Sequence, residues 1–154
     1  MPSLASQLKQ QGYDTLAFHP YKAHGWNRDT VYPLIGFDNF LDETSMNPNG
    51  EKFRGWYSDA EDYNKIIDIF NKKKAGQPLF LFNVTIQNHG GYLIADKNFK
   101  EEIKIKDEKA TDTANRYLSL IHESDRAFEK IINYFKNQKE PTDRCNVWRS
   151  SAKT

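Results

Sequence analysis

Pro78-Leu-Phe-Leu-Phe-Asn-Val-Thr-Ile86 carries the strongest strand pattern in this 154-residue chain. Its side chains are mostly apolar at consecutive rather than alternate positions, which is the pattern of a β-strand buried on both faces. A second compact apolar run, Asp14-Thr-Leu-Ala-Phe18, has the same character. We therefore predict two strands of a parallel sheet, with 78–86 as a central strand covered by helices.

Helical patterns surround the two strands. A capping box, Ser58-Asp-Ala-Glu61, opens a helix that Gly76 closes. Apolar residues at helical spacing mark a long amphipathic helix over 111–137. Shorter helices are predicted over 3–11 and around 28–34. The order helix, strand, helix, strand, helix favours an α/β fold with a mostly parallel sheet flanked by helices.

The composition excludes several classes of protein. Lys and Arg number 22 against 21 Asp and Glu, so bulk charge gives no reason to expect a nucleic-acid partner. No apolar run is long enough for a membrane span, and the start of the chain lacks the pattern of a signal peptide. The single cysteine excludes a disulfide framework.

Two polar clusters follow the predicted strands. They are Phe18-His-Pro-Tyr-Lys-Ala-His-Gly-Trp-Asn-Arg-Asp29 and Thr85-Ile-Gln-Asn-His-Gly-Gly91. Open α/β sheets bind ligands at the carboxyl ends of their strands, so we expect side chains of both clusters to converge there. The candidates are His19, His24, Trp26, Arg28 and His89. A guanidinium, an indole N–H and an imidazole suit a phosphate or sulfate ester, which indicates an anionic substrate.

Taken one at a time, these residues have simpler interpretations. His19 and His24 are typical loop histidines, and an isolated tryptophan such as Trp26 is more often a partly buried anchor than a ligand contact. No phosphate-binding glycine loop, zinc spacing or nucleophile elbow is present in the sequence. The chemistry of the individual residues therefore leaves a structural role open.

The combination of segments resembles the sulfatase family, in particular the sulfatase-type domain of lipoteichoic acid synthase-like phosphoglycerol transferases. The resemblance covers residues 3–141. It is carried by Gly12-Tyr-Asp-Thr-Leu-Ala-Phe-His19, Trp26-Asn-Arg-Asp29, Tyr32, Gly36-Phe-Asp-Asn-Phe40, Asn83-Val-Thr-Ile-Gln-Asn-His89 and Tyr117-Leu-Ser-Leu-Ile-His-Glu-Ser-Asp-Arg-Ala-Phe128.

The resemblance implies an alkaline-phosphatase-like fold and transfer of phosphoglycerol through a covalent threonine intermediate, assisted by Mn2+ or Mg2+ in the intact parent enzyme. By position, Trp26, Arg28 and His89 would hold the phosphoglycerol headgroup, and His19 lies beside them in the motif. The parent would be membrane-anchored with its catalytic domain outside the cytoplasm, whereas the chain itself is expected to be soluble.

The family pattern also contains parts that this sequence does not match. The acidic metal ligand and the nucleophilic threonine would lie upstream of residue 1, so no catalytic or metal-binding residue is assigned in the chain, and the chain alone is expected to be inactive. Two strands do not make a stable sheet, so the domain is predicted to be partial. Exposed strand edges and apolar surface favour self-association.

The family pattern further expects a strand ending in Gly-Asp-His after the long helix, but the chain reads Asp143-Arg-Cys-Asn-Val-Trp-Arg-Ser-Ser-Ala-Lys-Thr154. Permitted codons for this tail, read one base later, give Ile-Val-Val-Met-Phe-Gly-Asp-His-Gln-Pro-Lys. We therefore interpret 1–142 as a partial sulfatase-type catalytic domain and 143–154 as a non-native, frameshifted tail, which sequencing of the encoding DNA would test.

Three functional hypotheses remain open at the level of sequence. The first is a fragment of a phosphoglycerol transferase that acts in the synthesis of a cell-envelope polymer of the lipoteichoic acid type. The second is a fragment of a sulfatase, phosphodiesterase or phosphoethanolamine transferase of the same superfamily. The third is a non-catalytic module that binds anions or a partner.

Overall fold

The computed structural model of the chain describes residues 2–93, 95, 97–107 and 109–147. These residues fall into two compact units. The first contains the residues up to Glu51 together with Asn64–Ile86, and the second contains Lys52–Tyr63 and the residues from Gln87 onward. In chain order the elements are α1 (Leu4–Gln10), β1 (Asp14–Phe18), α2 (Arg28–Leu34), β2 (Asn39–Leu41), β3 (Lys52–Phe53), β4 (Trp56–Tyr57), α3 (Asp59–Lys72), β5 (Leu79–Asn83) and α4 (Asp112–Lys136).

The first unit is built on a parallel sheet of three strands in the order β2, β1, β5. β1 pairs with β5 from Asp14 opposite Leu79 to Phe18 opposite Asn83, so the two strands end at the same edge of the sheet. The predicted α/β fold with a parallel sheet is confirmed. The prediction that 78–86 is central is wrong for the described sheet, because β2 occupies the other side of β1 and puts β5 at an edge. Phe82 is accordingly 42% exposed.

The core of the first unit is small and largely aromatic. Ala5, Ala17, Tyr32 and Phe37 are buried together, and Phe80 of β5 stacks on Phe37 with ring centroids 5.7 Å apart. Gly36 allows α1 to approach this core. It has a φ of 100°, and a Cβ placed on it would lie 2.8 Å from the Cβ of Ser6, so only glycine fits between α2 and β2.

The second unit is organised by α4 and the hairpin of β3 and β4. Thr111 caps α4 by accepting a hydrogen bond from the backbone N–H of Ala114 at 3.2 Å. The segment preceding the helix lies along it, because Ser119 and Asn115 of α4 accept hydrogen bonds from the backbone of Ile103 and Ile105 at 2.9 Å and 2.8 Å. The charged segment before α4 is therefore anchored in its described part by polar side chains of that helix.

All four predicted helices are present, and α1, α2 and α4 end within a residue of their expected bounds, whereas α3 ends at Lys72, before the predicted closing residue Gly76. Ser58 accepts a hydrogen bond from the N–H of Glu61 at 3.2 Å, which confirms the predicted cap of α3. In the part of the chain that the structure describes, no helix is both long enough and apolar enough to cross a membrane. In the tail, Arg144 donates to the carbonyl of Ile132. Residues 148–154 lie outside the described residues, and the frameshift interpretation stays a prediction.

Candidate functional site

The first candidate cluster is a tight turn that follows β1 and leads into α2. Residues 25–27 form a tight turn in which Trp26 and Asn27 both have left-handed backbone conformations, with φ of 60° and 52°. The side chain of Trp26 is 87% exposed. The predicted alternative, a partly buried anchor, is therefore wrong, since the indole is presented to solvent on a strained backbone.

Arg28 is oriented by the same turn. Its Nη1 donates to the carbonyl of Gly25 at 2.8 Å. A Cβ on Gly25 would lie 3.1 Å from that Nη1 and 3.6 Å from the ring of Tyr21, so a side chain at this position would displace the guanidinium. A guanidinium has five N–H donors, and the bond to the Gly25 carbonyl restricts the orientation of the whole group.

A third contact inside the turn joins His24 to Asp29. The Nδ1 atom of His24 lies 3.1 Å from Oδ2 of Asp29, and both side chains are exposed. The hydrogen bond to His24 holds the pKa of the Asp29 carboxyl below its ordinary value. The turn from His24 to Asp29 is thus held by contacts between residues that are close together in the sequence.

His19 has a different environment from the exposed turn. It is 3% exposed, and its Nδ1 lies 2.6 Å from the carbonyl oxygen of Val84. Its backbone N–H donates to the carbonyl of Leu41 at 3.0 Å. His19 therefore joins the ends of β1, β2 and β5, and this geometry is that of a buried histidine that holds the sheet edge together. A role in substrate binding stays a prediction.

The second candidate cluster is the loop that carries His89, which belongs to the second unit. His89 is exposed. Its imidazole packs against the indole of Trp56, with ring centroids 5.2 Å apart and an interplanar angle of 50°. Arg54 Nη2 donates to the carbonyls of His89 and Gly90 at 3.0 Å and 3.3 Å. The hairpin of β3 and β4 therefore contacts both the backbone of the loop and the His89 side chain.

A buried hydrogen-bond network lies at the start of the His89 loop. The side chain of Gln87 is 1% exposed and accepts from the N–H of Asp59 at 2.9 Å. Its amide nitrogen donates to the carbonyl of Leu120 and to Oγ of Ser124, both at 3.0 Å. Ser124 in turn donates to Oδ2 of Asp59 at 2.5 Å, and Asn88 donates to Ser124 at 2.7 Å. The start of the loop is thus held to α4 by buried hydrogen bonds.

Buried carboxylates are part of this region. Asp59 and Asp62 are 2% and 0% exposed. Burial, and then the charges of these two carboxylates, raise the pKa of the neighbouring Tyr63 phenol. Both causes favour the neutral form of this phenol.

The resemblance to the sulfatase family implies a divalent metal ion, Mn2+ or Mg2+. Among the described residues, no group of three or more His, Cys, Asp or Glu side chains is placed so that it could hold a metal ion. The described side chains therefore do not form a metal site, and the chemistry assigned to them below uses no metal.

Fold and side chains together define an α/β protein with a polar, anion-compatible cluster after each of two adjacent parallel strands. The sequence model of the family described as Sulfatase matches residues 1–143. The chain therefore belongs to the sulfatase family, and the alkaline-phosphatase-like fold predicted from the sequence is confirmed.

Three similar proteins illustrate the relationship. The lipoteichoic acid synthase LtaP from Listeria monocytogenes has a crystal structure that is 27% identical, with a TM-score of 0.75 over 89% of this chain and 33% of that one. The Streptococcus pyogenes phosphoglycerol transferase GacH, solved in complex with sn-glycerol-1-phosphate, is 25% identical, with a TM-score of 0.63 over 84% of this chain and 34% of that one. A Rhizobium meliloti protein named for cyclic beta-1,2-glucan modification is 32% identical over 92% of this chain and 22% of its own length.

The chain spans 20–26% of the length of the first curated relatives that it matches.

Sequence reasoning found the exposed Trp26 turn and the His89 loop but missed Arg54 and Trp56, which contact that loop. The signal available for them was weak. It consisted of a single glycine, Gly55, in a short segment with an aromatic residue at each end. This pattern fits a hairpin but also many other turns.

Proposed function

We propose that the chain is the headgroup-binding part of a sulfatase-type phosphoglycerol transferase that acts on a cell-envelope polymer. Trp26 and Arg28, in the first unit, and His89, in the second, are the proposed phosphoglycerol-binding residues, with His19 supporting the sheet edge from which the Trp26 turn starts. Support comes from family membership and from the similarity to a lipoteichoic acid synthase and a phosphoglycerol transferase.

The observation that carries the proposal is the exposed Trp26 on a left-handed backbone. A non-glycine residue in this conformation costs about 1–2 kcal/mol, and strain of this kind concentrates at ligand-binding positions. An indole that gains no burial in exchange has no stabilising role within the first unit. Beside it, the Arg28 guanidinium offers the planar fork that suits phosphate oxygens.

The remaining parts of the reaction are proposed for the parent enzyme and not for the described side chains. Mn2+ or Mg2+ would polarise the phosphoryl oxygens there. The threonine nucleophile, the membrane anchor and the extracytoplasmic location of the catalytic domain likewise stay predictions. In this scheme, the described residues bind and orient the phosphoglycerol group.

The acceptor polymer has a second candidate. The 32% identity to a protein named for cyclic beta-1,2-glucan modification favours a cyclic glucan as an alternative to a lipoteichoic acid. The hypotheses of a sulfate or phosphate ester hydrolase, of a phosphoethanolamine transferase and of a plain anion-binding module differ in their ligands. Comparing sn-glycerol-1-phosphate, phosphoethanolamine and inorganic sulfate as probes separates them.

The test is an NMR titration of the 154-residue chain with sn-glycerol-1-phosphate, monitoring the indole N–H of Trp26 and the ring protons of His89. We expect both signals to shift. Arg28→Lys should weaken binding about tenfold because it loses the guanidinium fork, a charge-assisted contact worth about 1.5 kcal/mol or more. Arg126→Lys, which alters an exposed arginine paired with Glu102 and Glu123, is the matched control.

Three outcomes would contradict the proposal. They are signals that do not move, equal effects of the two lysine variants, and tighter binding of inorganic sulfate than of sn-glycerol-1-phosphate. Metal-dependent turnover of a phosphodiester analogue by the chain would show catalysis beyond headgroup binding. Binding without turnover or metal dependence would instead support the module.

A further inference from the structure

The hairpin of β3 and β4 has an unusual turn. Arg54 and Gly55 connect Phe53 to its partner Trp56, and both turn residues have positive φ, 56° and 82°. A two-residue hairpin turn of this kind needs positive φ at both positions, which is why Asn-Gly and Gly-Gly are its usual sequences. An arginine at the first position is conformationally costly, so its side chain must provide something that asparagine or glycine would not.

The Arg54 side chain reaches the His89 loop. Its Nη2 donates to two successive carbonyls, those of His89 and Gly90. Its guanidinium also lies over the ring of Tyr92, 4.8 Å from the ring centroid. The hydroxyl of Tyr92 donates to the carbonyl of Asn88 at 2.6 Å. The carbonyls of residues 88, 89 and 90 are thus all bonded to side chains. Arg54 bonds two of these carbonyls and also packs on Tyr92, which bonds the third.

The next residue along the hairpin contacts the His89 side chain itself. Trp56 packs its indole against the imidazole, while the backbone of the loop is held by Arg54. One short hairpin therefore constrains both the main chain of His89 and the orientation of its ring. An exposed histidine would otherwise sample several rotamers, and fixing it before a ligand arrives lowers the entropic cost of binding.

We infer that the hairpin of β3 and β4 positions His89 for anion binding, with Arg54 and Trp56 as positioning residues. The inference rests on the proposed function, because it assigns to His89 a role in holding the headgroup. Arg54 acts through the backbone of the loop and Trp56 through the imidazole ring, so the two residues have separate spectroscopic signatures.

The ligand-free protein gives the first readout. Carbonyl carbon shifts of His89 and Gly90 report their hydrogen bonds directly, and ring-proton shifts of His89 report the aromatic current of Trp56. Arg54→Lys keeps the charge but not the fork, so it should change both carbonyl shifts. Trp56→Ala should change the His89 ring shifts and Trp56→Phe should largely preserve them. Arg126→Lys should change neither set.

The second readout is affinity for sn-glycerol-1-phosphate in the same variants. We expect Arg54→Lys and Trp56→Ala to weaken binding about five- to tenfold, the range for losing one or two modest preorganising contacts. Trp56→Phe should bind within about twofold of the unchanged chain, because an aromatic ring remains against the imidazole. Dispersed amide spectra confirm that each variant is folded.

Several results would overturn the inference. Unchanged carbonyl shifts in Arg54→Lys would show that its hydrogen bonds do not hold the loop. Changed shifts with unchanged affinity would show that the hairpin shapes the loop without positioning His89 for a ligand. If the unchanged chain binds no sn-glycerol-1-phosphate, the proposed function fails. In that case the ligand-free shifts still decide whether the hairpin fixes His89.

Discussion

The Trp26 turn and the His89 loop present similar chemistry by different structural means. In the Trp26 turn, Arg28 bonds to a carbonyl three residues away, and His24 pairs with Asp29 five residues away. In the His89 loop, the side chain of Arg54 comes from 35 residues away, and the Ser124 contact of Gln87 spans 37. The first cluster is held by contacts between residues that are close together in the sequence, and the second by side chains from distant segments.

This difference predicts where each cluster is vulnerable. A turn held by local contacts depends on the backbone conformations of a few residues. One substitution can therefore relieve its backbone strain without affecting the rest of the fold. A loop held by distant side chains depends on buried hydrogen bonds that also stabilise the second unit, so its geometry and the stability of that unit change together.

The largest effect is expected at Gln87. Gln87→Leu keeps the approximate volume but removes the hydrogen bonds that Gln87 makes with the buried N–H of Asp59, the carbonyl of Leu120 and Oγ of Ser124. We expect the free energy of unfolding to fall by about 3 kcal/mol, because buried polar groups left unsatisfied cost about 1–3 kcal/mol each. Urea unfolding followed by circular dichroism measures this change in the free energy of unfolding.

The matched control is Gln10→Leu at an exposed position of α1. It should change the free energy of unfolding by no more than about 0.5 kcal/mol. Similar small effects for both variants would mean that the His89 loop is not anchored by the buried network.

An intermediate effect is expected at Trp26. Because its side chain is 87% exposed, Trp26→Gly and Trp26→Ala remove nearly the same contacts and differ mainly in backbone strain. We expect the glycine variant to be more stable than the alanine variant by about 1 kcal/mol, since only alanine is strained at positive φ. Both variants should lose headgroup binding. Thermal and urea unfolding compare the pair.

The same pair of substitutions at Gln7, an exposed residue in the middle of α1, provides the control. There the order should reverse, because glycine costs about 1 kcal/mol relative to alanine inside a helix. If the alanine variant at position 26 is as stable as the glycine variant, backbone strain is not what distinguishes this turn.

The smallest effect concerns the pKa of Asp29. His24→Ala should raise this pKa toward its ordinary value, because the hydrogen bond from His24 is the main cause of its depression. A carboxyl with a depressed pKa contributes stability above its unfolded pKa of about 3.9 and loses that contribution as the pH falls through its folded pKa. The His24→Ala variant should therefore depend less on pH in the acid range.

Carboxyl carbon NMR across the acid range measures the titration of Asp29. Asp68 is an internal control, because its pKa is lowered mainly by a hydrogen bond to Lys72 and should not respond to His24→Ala. If Asp29 titrates identically in both proteins, the contact with His24 does not hold the turn.

The sequence predicted the parts of the molecule that local patterns encode. Helix caps and apolar spacing located the start of α3 and both ends of α4 to within a residue, and the compact apolar run over 14–18 located β1. β2 was not predicted, because a three-residue strand stabilised by pairing with β1 has almost no pattern of its own. Tertiary pairing also decided that β1, and not β5, is the middle strand.

The same distinction holds for the candidate site. Trp26, Arg28 and His89 stand directly after strands, so position in the chain pointed to them. That His19 is buried, with its ring against the Val84 carbonyl, depends on a contact spanning 65 residues. The roles of Arg54 and Trp56 depend on a hairpin that meets the loop only in three dimensions. Sequence patterns therefore named the side chains that are proposed to bind a ligand but not those that hold them.

The three bonded carbonyls at residues 88, 89 and 90 have an electrostatic consequence for any anion near His89. Carbonyl oxygens carry partial negative charge and repel phosphate when they face it. Here the hydroxyl of Tyr92 and the guanidinium of Arg54 each direct a positively polarised hydrogen at these oxygens. The loop therefore offers an incoming anion its imidazole while the repulsion from its own backbone is largely cancelled.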